Sequence, residues 1–143
     1  VLDHNFAQKF GHNNMSDLKN AIELNLNLEL EQEHRRSVES MVFDALIPKL
    51  NANIPNTLIE REAERILFDF SEQIKKQGLN IELYLKNIGK TKEEFTKEMW
   101  PQATKNIQIG FIMGQVIEKN KWDQNDKKIG GKVINYLINK LTS

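Results

Sequence analysis

The segment from Asn53 to Phe70, NIPNTLIEREAERILFDF, has a proline near its start and then mixes charged and apolar residues at helical spacing. Apolar residues that recur every three or four positions form one face of an α-helix. In this segment and its continuation they are Ile59, Ala63, Ile66, Phe70 and Ile74, with Leu67 widening the stripe. Proline is favoured at the first helical position, where Pro55 stands. The segment predicts an amphipathic helix that runs to Gln77, stops at Gly78 and exposes a charged outer face.

The rest of the chain extends this helical pattern. Its 143 residues include three prolines and seven glycines, which leave long stretches of helix-forming and charged residues. No glycine-containing turn pair lies between β-branched alternating runs, so the usual sign of a hairpin is missing. We therefore predict an all-α fold in a single domain over residues 1–143. Because the sequence starts at Val1 without an initiator methionine, we expect it to be a piece of a larger protein.

The composition excludes several classes of function. The chain has 20 basic and 20 acidic residues and a formal net charge of zero, whereas general nucleic-acid binders carry a basic excess. It has no cysteine, which excludes disulfides, thiol nucleophiles and Cys-ligated zinc. No run approaches the roughly 18 apolar residues of a membrane span, and no signal segment is visible. We expect no nucleic-acid or membrane partner and a cytoplasmic location.

The segment from Ile22 to Leu30, IELNLNLEL, carries conflicting signals. Its strict alternation is typical of a strand, but its flanks are helical, and Asn and Glu are poor strand residues. We predict a helix. At about 100° per residue, Ile22, Leu26 and Leu30 form one face and Leu24 and Leu28 a nearly opposite one. A helix that is apolar on two sides must pack between two partners or leave one stripe exposed.

The helix that contains this segment is predicted to be long. Ser16 is expected to cap its start, and Pro48 to disturb its last turn near Ile47. From Ser16 to Ile47 it would measure about 48 Å at 1.5 Å per residue. A compact chain of this size has a diameter of only about 37 Å. The sequence therefore predicts an elongated multi-helix domain with a long spine helix and projecting helices.

Two short helices are predicted from a capping residue at the start of each and a glycine after its end. Asp3 is expected to cap a first helix that Gly11 ends. Asn80 is expected to cap another, with Gly89 following its end.

Two longer helices complete the prediction. In the first, Thr91 to Asn120, Thr91 and Glu94 form a capping box, and Pro101 is expected to kink the helix. In the second, Asn125 caps a helix that runs to Leu141. Gly130–Gly131 would cost that helix about 1 kcal/mol each relative to alanine.

The stretch from Asn106 to Ile117, NIQIGFIMGQVI, is apolar almost all round. Gln108 and Gln115 interrupt it, so it predicts a buried core helix rather than a membrane dimer face. One side of this helix should meet the preceding helix. The other, second side should meet the spine, a missing segment or a bound polypeptide. Methionine on that second side is common at promiscuous binding surfaces, although core filling is its more frequent role. The second side consists of Ile109, Met113 and Val116, opposite Ile107, Phe111 and Gly114.

Residue patterns for catalysis or metal binding are weak. Glu31-x-x-His34 has the spacing used in carboxylate-bridged di-iron bundles. Such a site needs a second Glu-x-x-His, and neither His4 nor His12 has a glutamate three residues before it. The sequence also lacks a phosphate-binding glycine loop and a dinucleotide fingerprint. We therefore predict no catalytic residues, no metal site and no cofactor, with Glu31 and His34 on a solvated face.

Four stretches taken in order resemble one protein family. They are FAQKFG, SDLKNAIELNLNLELE, NIPNTLIEREAERIL and QGLNIELYLKNIGKTKEEFTKEMWPQATKNIQIGFIMGQVIEKNKW. Together they look like the C-terminal domain of bacterial trigger factor, the ribosome-associated chaperone. The Pro-x-x-Leu-Ile-x-x-Glu start at Pro55 to Glu62 and the block from Gly89 to Ala103 are the most specific parts.

The resemblance implies a fold and a role. The fold class is the trigger factor C-terminal, SurA peptide-binding-like one, in which a helical body carries two arms that cradle unfolded chains without ATP. Ser16 to Ile47 would be the spine, and Pro55 to Gln77 with Thr91 to Asn120 the first arm as an antiparallel pair. The helix from Asn125 would begin a second arm, which looks truncated at Ser143. Gly130–Gly131 stands where the family has helix formers.

The resemblance also separates this chain from the parent protein. Prolyl cis–trans isomerase activity and ribosome contact belong to domains that this chain does not contain. The partners implied for these residues are nascent or unfolded polypeptides. The sequence leaves open whether the domain forms a homodimer.

Three hypotheses for function follow. The first is an ATP-independent chaperone domain that binds exposed apolar segments. Its candidate contacts lie on second apolar helix faces: Leu24, Leu28, Ile109, Met113 and Val116. The second is a structural or docking module whose second faces are covered by packing within the protein. The third is a metal enzyme that uses Glu31 and His34.

Overall fold

The computed structural model describes residues 4–143, with side chains from Phe6 onward. This range forms seven α-helices and one 3₁₀ turn, and contains no strand. In chain order the helices are α1 (His4–Lys9), α2 (Met15–Leu46), α3 (Asn56–Lys76), α4 (Ile81–Asn87), α5 (Lys92–Glu98), α6 (Trp100–Lys119) and α7 (Ile129–Thr142). The 3₁₀ turn, Ile47–Lys49, follows α2 directly. The prediction of an all-α fold is confirmed.

The chain divides into two compact units, the first ending at Val42 and the second beginning at Phe43. In the first unit, α1 ends at Gly11, which has a positive φ of 78°. Ala7, Leu18 and Val42 are its buried apolar residues among those described. The predicted cap Asp3 lies outside the described residues. The single domain over residues 1–143 stays a prediction.

The long helix α2 confirms that the alternating segment is helical, but its start differs from the prediction. Ser16 does not cap it. Asn14 does: its side-chain oxygen accepts the backbone N–H of Asp17 at 2.9 Å, and its amide donates to the Asp17 carboxylate at 3.0 Å. Asparagine is as good a helix cap as serine. Its partner Asp17 lies three residues later, at the position that the second residue of a capping box occupies. Pro48 ends the α-helix by forming the 3₁₀ turn, as its missing N–H requires.

Helix α3 buries the predicted stripe. Ile59, Ala63, Leu67 and Ile74 are buried, and Ile66 and Phe70 are half-buried beside them. After α3, Gly78 adopts a φ of 77°, and Leu79 N–H donates to the Ile74 carbonyl at 3.0 Å. This is a Schellman end, in which glycine alone avoids steric strain.

Helices α3 and α6 pack antiparallel and form a hairpin with α4 and α5 at one end. Glu62 pairs with Asn106 at 2.9 Å, while Leu58, earlier in α3, lies beside Phe111, later in α6. The first core cluster joins the two helices through Ile59, Ala63 and Ala103. The second joins α3, α4 and α5 through Leu67, Leu85 and Phe95. The predicted antiparallel pairing of α3 with this part of the chain is confirmed.

The predicted kink at Pro101 is a complete break. Helix α5 ends at Glu98 and α6 starts at Trp100, with Met99 between them. Pro101 lies in the first turn of α6, where its missing N–H leaves no helical bond unmade. In a continuous helix it would also clash with the carbonyl of Lys97, four residues earlier. Met99, between the two helices, packs against both the first and the second core cluster. This packing stabilises the break between α5 and α6.

The last helix starts later than predicted. Asn125 does not cap it: α7 begins at Ile129, and its N-cap residue Lys128 makes no side-chain cap bond. The side chains of Asp123 and Asp126 instead accept backbone N–H groups two residues on, each at 2.9 Å. Such Asx turns offer the backbone hydrogen bonds that compete with those of a helix. They therefore hold the loop before α7 in a non-helical conformation. Gly130–Gly131 therefore lies in the first turn of α7 and not in its interior.

The caps predicted at Asn80 and Thr91 are confirmed. Asn80 accepts the N–H of Glu82 at 2.7 Å. Thr91 accepts the N–H of Glu94 at 3.1 Å, and the Thr91 N–H donates to the Glu94 carboxylate at 2.9 Å. That backbone hydrogen bond lowers the pKa of Glu94, since it stabilises the ionised carboxylate.

Thr91→Ala tests the capping box. The variant loses the hydroxyl that satisfies Glu94 N–H, and α5 has only seven residues over which to compensate. We expect a loss of about 1 kcal/mol in the free energy of unfolding, measured by urea unfolding followed by tryptophan fluorescence. Thr57→Ala, at an exposed threonine in the first turn of α3, is the control and should be near neutral. Equal stability of the two variants would contradict the role of the cap.

Candidate functional site

Both apolar faces predicted for α2 are exposed, whereas the sequence predicts either two packing partners or a single exposed stripe. Leu24 is 61% and Leu28 47% exposed, and the other face is open as well. We call the five residues of both faces the α2 stripe: Ile22, Leu24, Leu26, Leu28 and Leu30. Glu23 and Glu29 lie between them and are also exposed. Scattered single apolar residues on a surface are ordinary, but five exposed apolar residues within nine positions of one helix, on two nearly opposite faces, indicate interaction surfaces.

The three candidate residues on α6 are half-buried and have different neighbours. Ile109 borders a hollow shared with Glu62 and Arg65 of α3. Met113 reaches α7, since a side chain added at Gly130 would lie 3.9 Å from its Cε. Val116 lines a groove described below. The α6 faces thus meet both α3 and α7.

A groove of about 610 Å³ lies within the second unit, and we call it the α6–α7 groove. Its apolar wall comes from the end of α2, the residue after the 3₁₀ turn, α6 and α7. The apolar residues are Leu46, Leu50, Ile112, Val116, Tyr136 and Leu137; the polar ones are Lys49, Gln115, Lys119 and Lys140. Ile112 and Leu137 are buried at its base, while the three lysines are exposed.

Val116 is the one lining residue of this groove that the sequence predicts as a contact, and the others are not predicted. The local signal was present in α7, where Val133 and Leu137 fall four residues apart on one face and are both buried. No local pattern shows that this face meets Ile112 of α6 or Leu50, which lies 62 positions earlier than Ile112 in the chain.

A second groove, of about 630 Å³, lies on the hairpin between α3, α4 and α5. Phe68 lines it and is 65% exposed. Glu64, Glu82 and Lys92 line it as well, so its charge is mixed. The solvated outer face that the sequence predicts for this part of α3 therefore carries an exposed phenylalanine, which that prediction does not include.

The polar residues of the hairpin serve its structure. Arg65 donates to Glu62 at 2.6 Å and to Asp69 at 2.9 Å, and Asn106 donates to Glu62 across the helix pair. The hydrogen bonds from Arg65, and then from Asn106, lower the pKa of Glu62. The Glu62–Asn106 hydrogen bond links α3 to α6, and the Arg65 contacts hold the Glu62 carboxylate from within α3.

Glu31 and His34 are both exposed on α2. Among the side chains that the structure describes, from Phe6 onward, no three from histidine, aspartate or glutamate come together as metal ligands would. None of the helices described combines the length and apolar character needed to cross a bilayer.

Comparison with known proteins gives a consistent result. Residues 14–137 match the sequence model of the bacterial trigger factor protein C-terminus. Trigger factor of Syntrophomonas wolfei is 24% identical over 139 residues, 96% of this chain and 32% of the relative. Trigger factor of Agathobacter rectalis is 28% identical over 92% of the chain, and that of Onion yellows phytoplasma 31% over 85%. No solved structure matches the chain. The chain spans about a third of the length of these curated relatives.

Proposed function

Because this chain belongs to the family of bacterial trigger factor C-termini, we propose that it is an ATP-independent chaperone domain that binds exposed apolar segments of unfolded polypeptides. A chaperone-related role follows from the family itself. Direct contact with clients is the proposal, and the α2 stripe is the observation that carries it.

The stripe suits weak, repeated apolar contact. Its five side chains are between 47% and 62% exposed, so each has apolar surface left to remove from water. Full burial of a leucine or isoleucine contributes about 1.5–3 kcal/mol relative to exposure. Several such contacts hold an unfolded segment without requiring one sequence, since apolar burial has no directional preference. The acidic residues among them keep the surface soluble between encounters.

The contacts proposed for clients are Leu24 and Leu28 on α2 and Val116 in the α6–α7 groove, with Ile109 and Met113 in minor roles. Ile109 sits beside charged residues of α3, and Met113 already packs toward α7. Serine at Met113 would loosen α7 as well as any client contact. The test therefore belongs on α2.

Leu24→Ser/Leu28→Ser tests the proposal. Suppression of aggregation of a denatured client, followed by light scattering, should require about tenfold more of the variant than of the parent chain. The matched control is Asn25→Ser/Asn27→Ser, which changes the interleaved exposed positions to the same residue. It should protect as well as the parent. Unchanged protection by a folded leucine variant would remove the α2 stripe from the proposal.

The alternative is a structural or docking module with little client contact. Packing of Met113 toward α7 favours it for that part of α6, because a second apolar face is then covered within the protein. Binding of a hydrophobic dye separates the two functions. Strong dye binding that falls in Leu24→Ser/Leu28→Ser supports the chaperone function, and weak binding by the native chain supports the docking module.

Ribosome association and prolyl isomerase activity are proposed for the parent protein and not for these residues. The matched region is the C-terminal part of trigger factor, and it accounts for about a third of the relatives' length. Homodimer formation stays a separate proposal, to be checked by sedimentation of the intact chain.

A further inference from the structure

The α6–α7 groove combines an apolar wall with a rim of one charge. Lys49, Lys119 and Lys140 line it, and no carboxylate is among its lining residues. The chain as a whole has a formal net charge of zero. The positive charge at this groove is therefore a local property of the fold and does not reflect an overall basic character.

The three lysines are available to a ligand. Five of the other basic residues described form ion pairs with acidic side chains: Arg35, Arg65, Lys75, Lys90 and Lys105. Among the side chains described from Phe6 onward, no such pair involves a lysine of the groove. Lys140 lies 6.0 Å from the ring centroid of Tyr136, close enough for a weak cation–π contact that leaves its donors free.

The lysines come from three separate elements, with Lys49 in the 3₁₀ turn, Lys119 at the end of α6 and Lys140 in α7. They share the groove with apolar side chains that would bury several apolar residues of a ligand. A ligand that satisfies both features has an apolar centre and negative charge on its flanks. In an unfolded polypeptide, aspartate and glutamate supply that charge.

We propose that the α6–α7 groove selects apolar polypeptide segments flanked by acidic residues, an inference that rests on the proposed chaperone function. The α2 stripe differs in this respect, because the nearest charged residues along α2 are the acidic Glu23, Glu29 and Glu31. The two surfaces would then receive segments with opposite flanking charge.

The test uses three fluorescent peptides with one short apolar core, flanked by aspartates, by serines or by lysines. Fluorescence anisotropy with the full chain should show the aspartate peptide binding about tenfold more tightly than the lysine peptide at low salt. The difference should shrink at high salt, where exposed charges are screened. Equal affinity of the three peptides would overturn the charge selection and leave the chaperone proposal intact.

Substitution of the three groove lysines tests whether the preference for acidic flanks arises at the α6–α7 groove. Lys49→Gln/Lys119→Gln/Lys140→Gln should remove the preference for the aspartate peptide. The matched control Lys19→Gln/Lys76→Gln/Lys86→Gln makes the same change in net charge at exposed sites elsewhere and should retain it. If both triple variants lose the preference equally, general charge attraction is responsible and the groove assignment is wrong.

Two further outcomes distinguish the proposals. If no peptide of any charge binds and the chain does not suppress aggregation, the proposed function fails together with this inference. If aspartate-peptide affinity falls as the protein concentration rises, a second copy of the chain occupies the groove, and that result overturns selection of client segments. Trp122 packs edge-to-face on Tyr136 at 5.6 Å, so its fluorescence gives a second readout of groove occupancy.

Discussion

Phe95→Ala should lower the free energy of unfolding of the second unit by about 3–5 kcal/mol. Phe95 is 7% exposed and completes the second core cluster, with Leu67 and Leu85. Its ring lies 5.8 Å from that of Phe70 and 6.1 Å from that of Tyr84. Removing the ring deletes these contacts and leaves a cavity among α3, α4 and α5 that the surrounding side chains fill only in part.

The matched control for this variant is Phe68→Ala. Phe68 is next to Leu67 on α3 but is 65% exposed, so its loss should change stability by no more than about 0.5 kcal/mol. Urea unfolding followed by the fluorescence of Trp100 and Trp122, both in the second unit, gives the two values. A Phe95→Ala loss no larger than that of Phe68→Ala would contradict the assignment of the second core cluster.

Phe95→Ala also shows how a loss of stability alone affects the functional tests. Domains are stable by only about 5–15 kcal/mol in total, so Phe95→Ala should increase the population of opened molecules severely. Opened molecules expose core residues that bind dye and clients without any native site. Changes in dye binding or client protection are therefore comparable only between variants of similar stability.

Ala63→Leu is expected to have the second largest effect, a loss of about 1–3 kcal/mol. Ala63 of α3 and Ala103 of α6 both have 0% exposure and belong to the first core cluster. Small residues on both sides allow the helices to approach closely. A leucine has no free volume to occupy there, so α3 and α6 must separate or adopt strained rotamers.

The separation should also weaken the bond between Glu62 and Asn106, which spans the same two helices at 2.9 Å. Ala45→Leu, at an exposed alanine of α2 within the second unit, is the control for adding the same side chain. Thermal unfolding by circular dichroism measures both variants. Unchanged melting of Ala63→Leu would show that the two helices are not closely packed at this position.

The sequence by itself determined the helical content and most helix ends. The capping bonds of Asn80 and Thr91 and the turn at Gly78 connect residues no more than five apart, so local chemistry is sufficient to predict them. The buried stripe of α3 and the two-sided character of α2 follow from periodicity alone. The errors at Ser16 and Asn125 arose where several good capping residues stand close together, and sequence gives no means of ranking them.

Only the tertiary structure decided which apolar faces are used. Ile109, Met113 and Val116 look equivalent on a helical projection, yet one lies by charged residues of α3, one packs toward α7 and one lines the groove. The groove itself unites residues from Leu46 to Lys140. Side chains so far apart in sequence meet because of the angles at which helices pack, which depend on the fit of whole surfaces. No local pattern contains that information, and the charge of the groove rim depends on it as well.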